Sequence, residues 1–508
     1  MSHETAAIDH EVALAWAERV AEQWTLDASG RDTLVVEGLP MRWPLRVEVF
    51  NVLRRLAIAQ LGGSDPSGSG TTLMLKRFGL DRAARAAGVR LARLPSAEPA
   101  RGGADRPVVF ISEMATPSTL DQLLLVARHL PAALVVPLVA DPRAASPWRS
   151  AGHTPVSAKL AWPDERRMLR KMGVHVADAW RDARTSLAPP RLQDHDVRAP
   201  FLRAVAPLVT RSGPWLWAER AALEIAFERL RPRIVVMASD QHRIGWLASR
   251  VAGQMAIPSV VLQHGLPQGR TGYVPVVADH VAVWSEASRE WFLGEGTPAA
   301  RLVVTGSPRL DGLVRVARAR ERASERGRGG RPQVLLALSP GATEPNERVL
   351  RLVLDASKDL PQARLVVKLH PGSGDWRFVR REVARLDDGV RSRVRIAHRE
   401  PLAPLLSWAD VTVVLRTTVA LESLVAGTPV VAADVGVPSI ADLELRDLDL
   451  DRAGTATDLA ALVRRLADPD ERRAWLEIRR DRIERLAGPA DGRAAERIAQ
   501  LLLGAAPG

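Results

Sequence analysis

Residues 409–433 read ADVTVVLRTTVALESLVAGTPVVAA and contain the pattern that decides the fold. An apolar β-branched run is followed by the polar turn Arg416-Thr417-Thr418, then by a helical pattern that ends at Gly427, and then by a second apolar run. This order is typical of a parallel βαβ unit, because two parallel neighbouring strands need a crossover helix between them. The stretch therefore predicts a parallel sheet covered by helices.

The same alternation of short apolar runs and helical patterns extends over most of the 508 residues. It defines two series of predicted strands. The first series covers residues 33–36, 107–111, 133–139, 234–238, 259–262, 280–284 and 302–305, and the second covers 333–338, 364–369, 394–397, 411–415 and 429–432. We therefore predict an α/β protein with two Rossmann-like αβα domains that face each other across a cleft.

An arginine- and glycine-rich stretch at residues 313–332 separates the two series, and we interpret it as the end of a helix followed by a linker. The predicted units are an N-terminal domain over residues 1–320, a C-terminal domain over 331–468, and helices over 469–508 that pack back across the domains. Residues 62–70 and 95–106 are rich in Gly, Ser and Pro and predict surface loops. The sequence of residues 1–105 does not indicate what this region does.

Composition and charge exclude several classes of protein. The chain has no cysteine, which excludes disulfides, thiolate metal sites and a cysteine nucleophile. The net charge is +12, but many arginines stand among acidic residues in helical patterns such as residues 471–485, which favours a solvated, ion-paired surface. Nucleic-acid binding is not expected, because no nucleic-acid-binding motif accompanies the charge. A basic surface that faces anionic lipid or a phosphorylated glycan stays open.

The sequence also indicates a location. No apolar run approaches the roughly 18 residues that a membrane helix needs. Residues 1–20 carry acidic residues and a periodic apolar pattern, which predicts an amphipathic helix rather than a signal peptide. We therefore expect a cytoplasmic protein, with peripheral association at the inner face of the cell membrane left open.

Polar residues follow several strands of the first series, where ligands of parallel sheets bind. Asp240 follows one predicted strand and either caps the next helix or has a catalytic role. His264, in Gln263-His264-Gly265 (QHG), is our first candidate for acid–base catalysis, because an unperturbed imidazole titrates near working pH. Glu113 is the alternative base, although it could instead be a first-turn acid that stabilises a helix. The stretch VTGSPRLD then places Gly306, Ser307 and Arg309 where the two domains meet, and we predict that these three residues take part in donor binding.

The second series has its own polar strand ends. The stretch LVVKLHP delivers Lys368 and His370 to the same edge as the turn that contains Thr417 and Thr418. Hydroxyls, cations and a helix N-terminus at one edge favour a diphosphate. The remaining candidates for donor binding are Arg416, Glu422, which could reach a ribose, and Gly341 after the first strand of this series. Thr417 or Thr418 could instead be an N-cap, and Glu422 a surface acid.

The ordered set QHG, VTGSPRLD, KLHP and LRTTVALESLVAGTPVV, over about residues 232–433, resembles the GT-B superfamily. It is most similar to the branch with capsule and surface-polysaccharide glycosyltransferases, polysialyltransferases and CDP-glycerol glycerophosphotransferases. It is also similar to UDP-N-acetylglucosamine 2-epimerase, but that pattern has a Glu-Ala-Gly where this chain has Gln263-His264-Gly265, and a Ser-Gly-Gly turn where it has Arg416-Thr417-Thr418. In the transferases the His-Pro matched by His370-Pro371 contacts the donor phosphate.

The resemblance implies a transferase that moves a group from a nucleotide sugar or CDP-polyol to a bacterial surface polysaccharide, glycan or lipid-linked acceptor. The nucleotide-activated donor is then a substrate, which we expect on the C-terminal domain, with the acceptor on the side of the N-terminal domain. No tightly bound cofactor or metal is expected. An epimerase-like isomerase and a non-enzymatic GT-B scaffold subunit are the alternatives. The three functions differ in an observable way, because an epimerase needs no acceptor and a scaffold binds no nucleotide.

Overall fold

The computed structural model describes residues 3–61, 106–112, 117–160, 162–188, 190–193, 195–267, 269–324, 331–339, 343–370, 376–398, 400–437 and 445–504. The strands are β1 (Val35–Val36), β2 (Leu39–Pro40), β3 (Val108–Ser112), β4 (Val135–Val139), β5 (Val156–Ser157), β6 (Arg191–Leu192), β7 (His195–Asp196), β8 (Ile234–Met237), β9 (Ser259–Leu262), β10 (His280–Val283), β11 (Leu302–Val304), β12 (Gln333–Ala337), β13 (Arg364–Lys368), β14 (Val394–Ala397), β15 (Val411–Val414), β16 (Val430–Ala433) and β17 (Asp451–Ala453).

The helices of the first half are α1 (His3–Gln23), α2 (Arg46–Gln60), α3 (Pro117–Ala127), α4 (Pro142–Ser150), α5 (Trp162–Ser186), α6 (Arg198–Pro207), α7 (Trp215–Leu230), α8 (Arg243–Gln254), α9 (Glu286–Gly294) and α10 (Pro308–Ser324). Those of the second half are α11 (Thr343–Ala356), α12 (Arg377–Ala384), α13 (Asp388–Arg391), α14 (Leu402–Trp408), α15 (Val419–Val425), α16 (Ala456–Ala467), α17 (Pro469–Ala487) and α18 (Ala494–Leu503).

Two parallel sheets organise the molecule, which confirms the predicted fold class. The first has seven strands in the order β11-β10-β9-β8-β3-β4-β5, and the second has six in the order β14-β13-β12-β15-β16-β17. Strands β3, β8, β9, β15 and β16 are buried along their whole length. This burial explains their near-continuous apolar sequences, because a parallel sheet is covered by helices on both faces.

Each sheet reverses its strand order once. In the first sheet the chain runs outward from β3 to β5 and then returns to place β8 on the other side of β3. In the second sheet it runs outward from β12 to β14 and returns to place β15 beside β12. Ligands of open α/β sheets bind at such reversals, outside the carboxyl ends of the strands. The two crevices are therefore at β3/β8 and at β12/β15.

All twelve predicted strands are present, with ends shifted by at most two residues. The first, at residues 33–36, differs in its place: β1 pairs only with β2 in a small antiparallel hairpin, outside the large sheets. Prediction from the sequence missed β2, β5, β6, β7 and β17, each two or three residues long. Runs that short carry no measurable periodicity.

The C-terminal helices connect the two halves of the molecule. Helix α17 begins beside the second sheet, where Arg472 pairs with Asp410 at 3.1 Å, and near its end Arg485 pairs with Glu290 of α9 at 2.7 Å. Gly488 then follows α17 in a left-handed conformation, and an added Cβ would lie 1.8 Å from the carbonyl oxygen of Trp284. Helix α18 packs its apolar residues into the core of the first sheet, among residues of β3, β4 and β8.

Candidate functional site

The crevice of the second sheet is closed by a bond between the loops after β12 and β15. The backbone N–H of Arg416 donates to the Ser339 hydroxyl at 3.0 Å. Asn346 of α11 fixes Ser339 from the other side: its Oδ1 accepts from the Ser339 N–H at 3.0 Å, and its Nδ2 donates to the Ser339 carbonyl at 2.8 Å. Asn346 is buried and was missed in the sequence, because it lies in a helix and has no motif around it.

The Thr417-Thr418 turn leads into helix α15. That helix has only seven residues, so its dipole is weaker than the sequence pattern suggested. Thr418 occupies the N-cap position in a helical conformation without a side-chain capping bond, whereas the Thr417 hydroxyl accepts from the Val419 N–H at 3.4 Å. The interpretation of Thr418 as a side-chain cap does not apply, and its hydroxyl is not used to hold the helix.

Lys368 and His370 stand at the carboxyl end of β13. The Lys368 ammonium is buried and donates to the carbonyls of His398 at 2.6 Å and Leu369 at 3.2 Å. Burial lowers the pKa of Lys368, and burial together with the neighbouring Lys368 charge lowers the pKa of His370. The side chain of Lys368 thus holds the ends of β13 and β14 together, and His370 is neutral at pH 7.

Arg309, in the first turn of α10, connects the candidate residues of the two sheets. Its Nη2 donates to Glu422 Oε1 at 2.5 Å, and its Nη1 donates to the carbonyl of His264 at 3.4 Å. Both partners of the ion pair are largely buried. The sequence placed Arg309 and Glu422 in one site but gave no sign that they pair with each other.

His264 lies in the loop between β9 and β10. Its ring stacks on Tyr273, with centroids 4.7 Å apart and an interplanar angle of 5°. Burial, reinforced by the charges of His242 and Arg309, lowers the pKa of His264 to about 4, against the hydrogen bond to the carbonyl of Ala238, which raises it. The expectation of an imidazole that titrates near neutral pH without tuning is therefore wrong, because the sequence does not show burial.

Asp240, after β8, is buried and fully hydrogen-bonded. Its Oδ2 accepts from the backbone N–H groups of Val277 at 2.6 Å and Ala278 at 3.0 Å, and its Oδ1 accepts from Gln241 Nε2 at 2.9 Å. Burial raises the pKa of Asp240. Asp240 fixes the loop that precedes β10.

The segment after β11 joins the two halves. Gly306 is in the left-handed region, at φ +80°, and an added Cβ would lie 3.0 Å from Ala494 Cβ of α18. Ser307 is buried at 2% exposure, and its hydroxyl has no hydrogen-bond partner among the described residues. Asp311 of the same motif accepts from the N–H groups of Ala494 at 3.0 Å and Ala495 at 2.9 Å. Part of the VTGSPRLD motif therefore fixes α18.

Glu113 and Gly341 lie outside the described residues, so their proposed roles stay predictions. The structure adds Asp121 of α3, which the sequence did not single out. Asp121 is exposed, but partial desolvation by the surrounding protein raises its pKa, against the charges of Arg309 and Arg128. In the part of the chain that the structure describes, no three metal-ligating side chains cluster. No described helix is long and apolar enough to cross a bilayer.

The structure resembles solved UDP-N-acetylglucosamine 2-epimerases. The enzyme from Neisseria meningitidis, solved with UDP-GlcNAc, is 14% identical with a TM-score of 0.50, over 78% of this chain and 100% of that one. A putative UDP-N-acetylglucosamine 2-epimerase from Listeria monocytogenes is 15% identical with a TM-score of 0.50, over 77% and 95% of the two chains. No family model and no curated protein sequence matches this chain.

At this level of identity the likeness establishes the fold. The chain has the GT-B-like architecture of two Rossmann-like domains, the architecture that these epimerases also have.

Proposed function

We propose that the protein is an enzyme that acts on a nucleotide-activated sugar, and more specifically a glycosyltransferase or polyol-phosphate transferase for a bacterial surface polysaccharide or glycolipid. The observation that carries the proposal is Arg309, which bonds the His264 loop of the first sheet and Glu422 of the second. One cation therefore connects the predicted acceptor side with the predicted donor side. The shared fold supports a nucleotide-sugar ligand, since the Neisseria meningitidis enzyme was solved with UDP-GlcNAc.

In the proposed reaction, the acceptor hydroxyl forms a bond to the transferred group as the bond from that group to the nucleotide diphosphate breaks. His264 takes the hydroxyl proton, and Arg309 with the Arg416-Thr417-Thr418 turn stabilises the charge that develops on the leaving diphosphate. A neutral imidazole can accept this proton, and the bound diphosphate would raise the pKa of His264 from about 4 toward working pH. Asp240 serves as the anchor of the loop.

The second candidate function is an epimerase, which the shared fold favours. An epimerase must move a proton at carbon, and the Glu-Ala-Gly expected for it is replaced by Gln263-His264-Gly265. Gln263 is buried and holds β9 to β10: its Oε1 accepts from the Trp284 N–H at 2.8 Å, and its Nε2 donates to the Gly265 carbonyl at 2.9 Å. A residue bound in this way supplies no acid, which is why we prefer the transferase.

Two measurements separate the candidates. A thermal-shift screen with UDP, CMP, CDP, GDP and dTDP should identify the nucleotide, because a ligand at 100 times its Kd stabilises the folded state by about 2.7 kcal/mol. Incubation with UDP-GlcNAc and no acceptor then distinguishes the reactions, since only an epimerase converts it to its isomer under those conditions. A protein that neither binds nor turns over any nucleotide is the scaffold subunit.

We also propose peripheral association with an anionic membrane surface, through helix α5. Arg167, Arg170 and Lys171 are exposed and follow the i, i+3, i+4 spacing of one helix face, on which Val174 is 60% exposed. Cations around an exposed apolar residue suit an acidic lipid surface. The protein should sediment with phosphatidylglycerol vesicles but not with phosphatidylcholine vesicles.

The double change Arg167→Glu with Arg170→Glu tests this face. It should abolish sedimentation with the anionic vesicles. The matched control is Arg473→Glu with Arg480→Glu on α17, where both arginines are exposed but ion-paired within the helix. Equal loss of sedimentation in both double variants would show that net charge alone determines the association and would contradict a specific face.

A further inference from the structure

Tyr273, the one tyrosine of the chain, covers the ring of His264. The two rings are nearly parallel, and the edges of the tyrosine meet Trp291 at 5.9 Å and Phe292 at 6.3 Å between ring centroids. Both of those aromatic residues belong to α9. The imidazole therefore rests on an aromatic platform fixed by a helix, and Tyr273 is the member of that platform that contacts it.

The Tyr273 hydroxyl holds the turn directly after His264. It donates to the carbonyl of Leu266 at 3.1 Å. A Cβ at Gly265 would lie 3.0 Å from this hydroxyl, so the turn and the tyrosine are in close contact. The stacked ring and the hydroxyl together fix both the plane of the imidazole and the backbone that carries it.

The loop that carries Tyr273, residues 263–279, is attached to the N-terminal helices. Glu22 of α1 accepts from Arg270 Nε at 2.9 Å, and Glu18 of α1 accepts from the Thr271 N–H at 3.1 Å. Arg46 at the start of α2 is buried at 1% exposure and donates to the carbonyl of Val274. Residues on both sides of Tyr273 are thus held by a region to which the sequence assigned no role.

The far part of the loop is attached to the first sheet. Gln241 Nε2 donates to the carbonyl of Pro275 at 2.8 Å, and Asp240 receives the N–H groups of Val277 and Ala278. Arg46 also donates to Gln241 Oε1 at 2.7 Å, which joins the two sets of anchors. The loop is therefore bonded to the protein along most of its length.

We propose that Tyr273 is a positioning residue for His264, and that the α1–α2 pair serves the site by holding Tyr273 against the imidazole. The inference rests on the proposed function insofar as His264 takes the proton from the acceptor hydroxyl. The stack on Tyr273 fixes the plane of the imidazole and therefore the directions in which its ring nitrogens point. A base must be directed at the proton that it removes.

The first test compares two variants at Tyr273. Tyr273→Phe keeps the stack and loses the bond to Leu266, whereas Tyr273→Leu loses both. The titration of the His264 ring is followed by NMR, with the resonance assigned from its disappearance in His264→Gln. In Tyr273→Leu the imidazole should titrate nearer the ordinary value of about 6.5, because water reaches it. In Tyr273→Phe the titration should stay close to that of the parent. An unchanged titration in Tyr273→Leu overturns the proposal.

The second test changes a residue away from the imidazole and leaves Tyr273 in place. It can therefore be carried out even if Tyr273→Leu does not fold. Arg270→Gln removes the pairs with Glu22 and Glu295, and should shift the His264 titration in the same direction by a smaller amount. Its matched control is Arg143→Gln, which removes an exposed ion pair with Asp141 in another helix and should leave the titration unchanged. Equal shifts in these two variants would contradict the role of α1.

Turnover is a measurement that would not change if Tyr273 had only a structural role. If the protein is a transferase, Tyr273→Leu should lower kcat by roughly 10- to 100-fold with little change in the donor KM, because a misdirected base impairs the chemical step. The NMR titration needs no substrate. A protein without nucleotide binding would therefore refute the proposed function while the positioning of His264 is still measured.

Discussion

At the carboxyl edge of the first sheet two polar side chains are buried and bonded to the protein itself, although His264 is half-buried, whereas at the edge of the second sheet several remain partly exposed. Asp240 and Gln263 are both 2% exposed, and each holds backbone or side-chain groups of the protein itself. Arg416, Thr418 and His370 are only half-buried. The first edge is built to fix one geometry, and the second offers donors at its surface. This difference fits a rigid catalytic side and a ligand-binding side.

The largest effect should come from close packing at the first edge. Gly245 of α8 approaches the loop after β8 so closely that a Cβ would lie 1.8 Å from the carbonyl oxygen of Ser239. Gly245→Ala should lower the free energy of unfolding by about 3 kcal/mol or more, because backbone must move. Gly253→Ala in the same helix meets nothing within 4 Å and should be neutral or stabilising by about 0.5–1 kcal/mol. Urea unfolding of both variants measures the contrast.

The pH dependence of stability should show how strongly the first edge desolvates His264. The pKa of about 4 in the folded state lies below that of the unfolded chain, about 6.5, so the unfolded state binds a proton first as the pH falls. The contribution of His264 to the free energy of unfolding is fully present above about pH 6.5. It is lost progressively as the pH falls to about 4, and the total loss is up to about 3 kcal/mol.

His264→Gln should remove that pH-dependent contribution, measured as the difference between urea unfolding at pH 7 and at pH 4.5. The matched control is His129→Gln, which replaces an exposed histidine. If the free energy of unfolding of His264→Gln changes with pH as much as that of the parent, the first edge does not desolvate the imidazole.

Substitutions at the two edges should change different kinetic parameters. His264→Ala should lower turnover by about 100-fold, or about 2.7 kcal/mol, and bind the donor nucleotide like the parent. Glu113→Gln is the opposing test: should it abolish transfer while His264→Ala only raises the acceptor KM, the base is the carboxylate. Steady-state kinetics with varied acceptor decide between them.

Apart from Arg309, the residues on which donor binding depends should be those of the second edge. His370→Ala, and the double change Thr417→Val with Thr418→Val, should each weaken a nucleoside diphosphate by about tenfold, or 1.4 kcal/mol, through loss of a bond to the anion. Isothermal titration calorimetry measures this loss, with the unaltered fold checked by circular dichroism. Unchanged affinity in His370→Ala would remove the donor site from this edge.

Glu422→Gln sharpens the same assignment. Its ribose role predicts weaker binding of nucleotides with no loss of pyrophosphate binding. Because Glu422 also neutralises Arg309, the substitution should in addition strengthen pyrophosphate binding by a few-fold if Arg309 contacts the phosphates. If Glu422→Gln lost the same affinity for nucleotide and for pyrophosphate, Glu422 would lie beside the phosphates, and a contact with the ribose would be excluded.

The smallest effect concerns the connection between the two edges. Brief proteolysis should cut within residues 313–332 or 62–70, and nucleotide should slow the first cut severalfold if it draws the edges together. Gel electrophoresis with mass determination locates the sites. Cleavage mainly within residues 394–432 would contradict the predicted domain division.

The amino-acid sequence by itself determined the two parallel sheets and the residues at their carboxyl ends. Strand β9 matches its predicted bounds, because a buried parallel strand requires a short, nearly continuous apolar run and a polar or glycine-containing turn after it. The same pattern pointed to His264, Asp240 and the Thr417-Thr418 turn, since all follow such runs. These are local signals, so reading the chain in order was sufficient.

Only the tertiary structure decided how those residues are used. Asp240 bonds backbone N–H groups 37 and 38 residues away, and Arg309 pairs with Glu422 across 113 residues. The pKa of His264 depends on desolvation beside Tyr273 and on the charges of His242 and Arg309, and desolvation is a property of the packed molecule. Contacts over such separations follow from how helices and sheets pack together, and periodicity within a single segment does not contain that information.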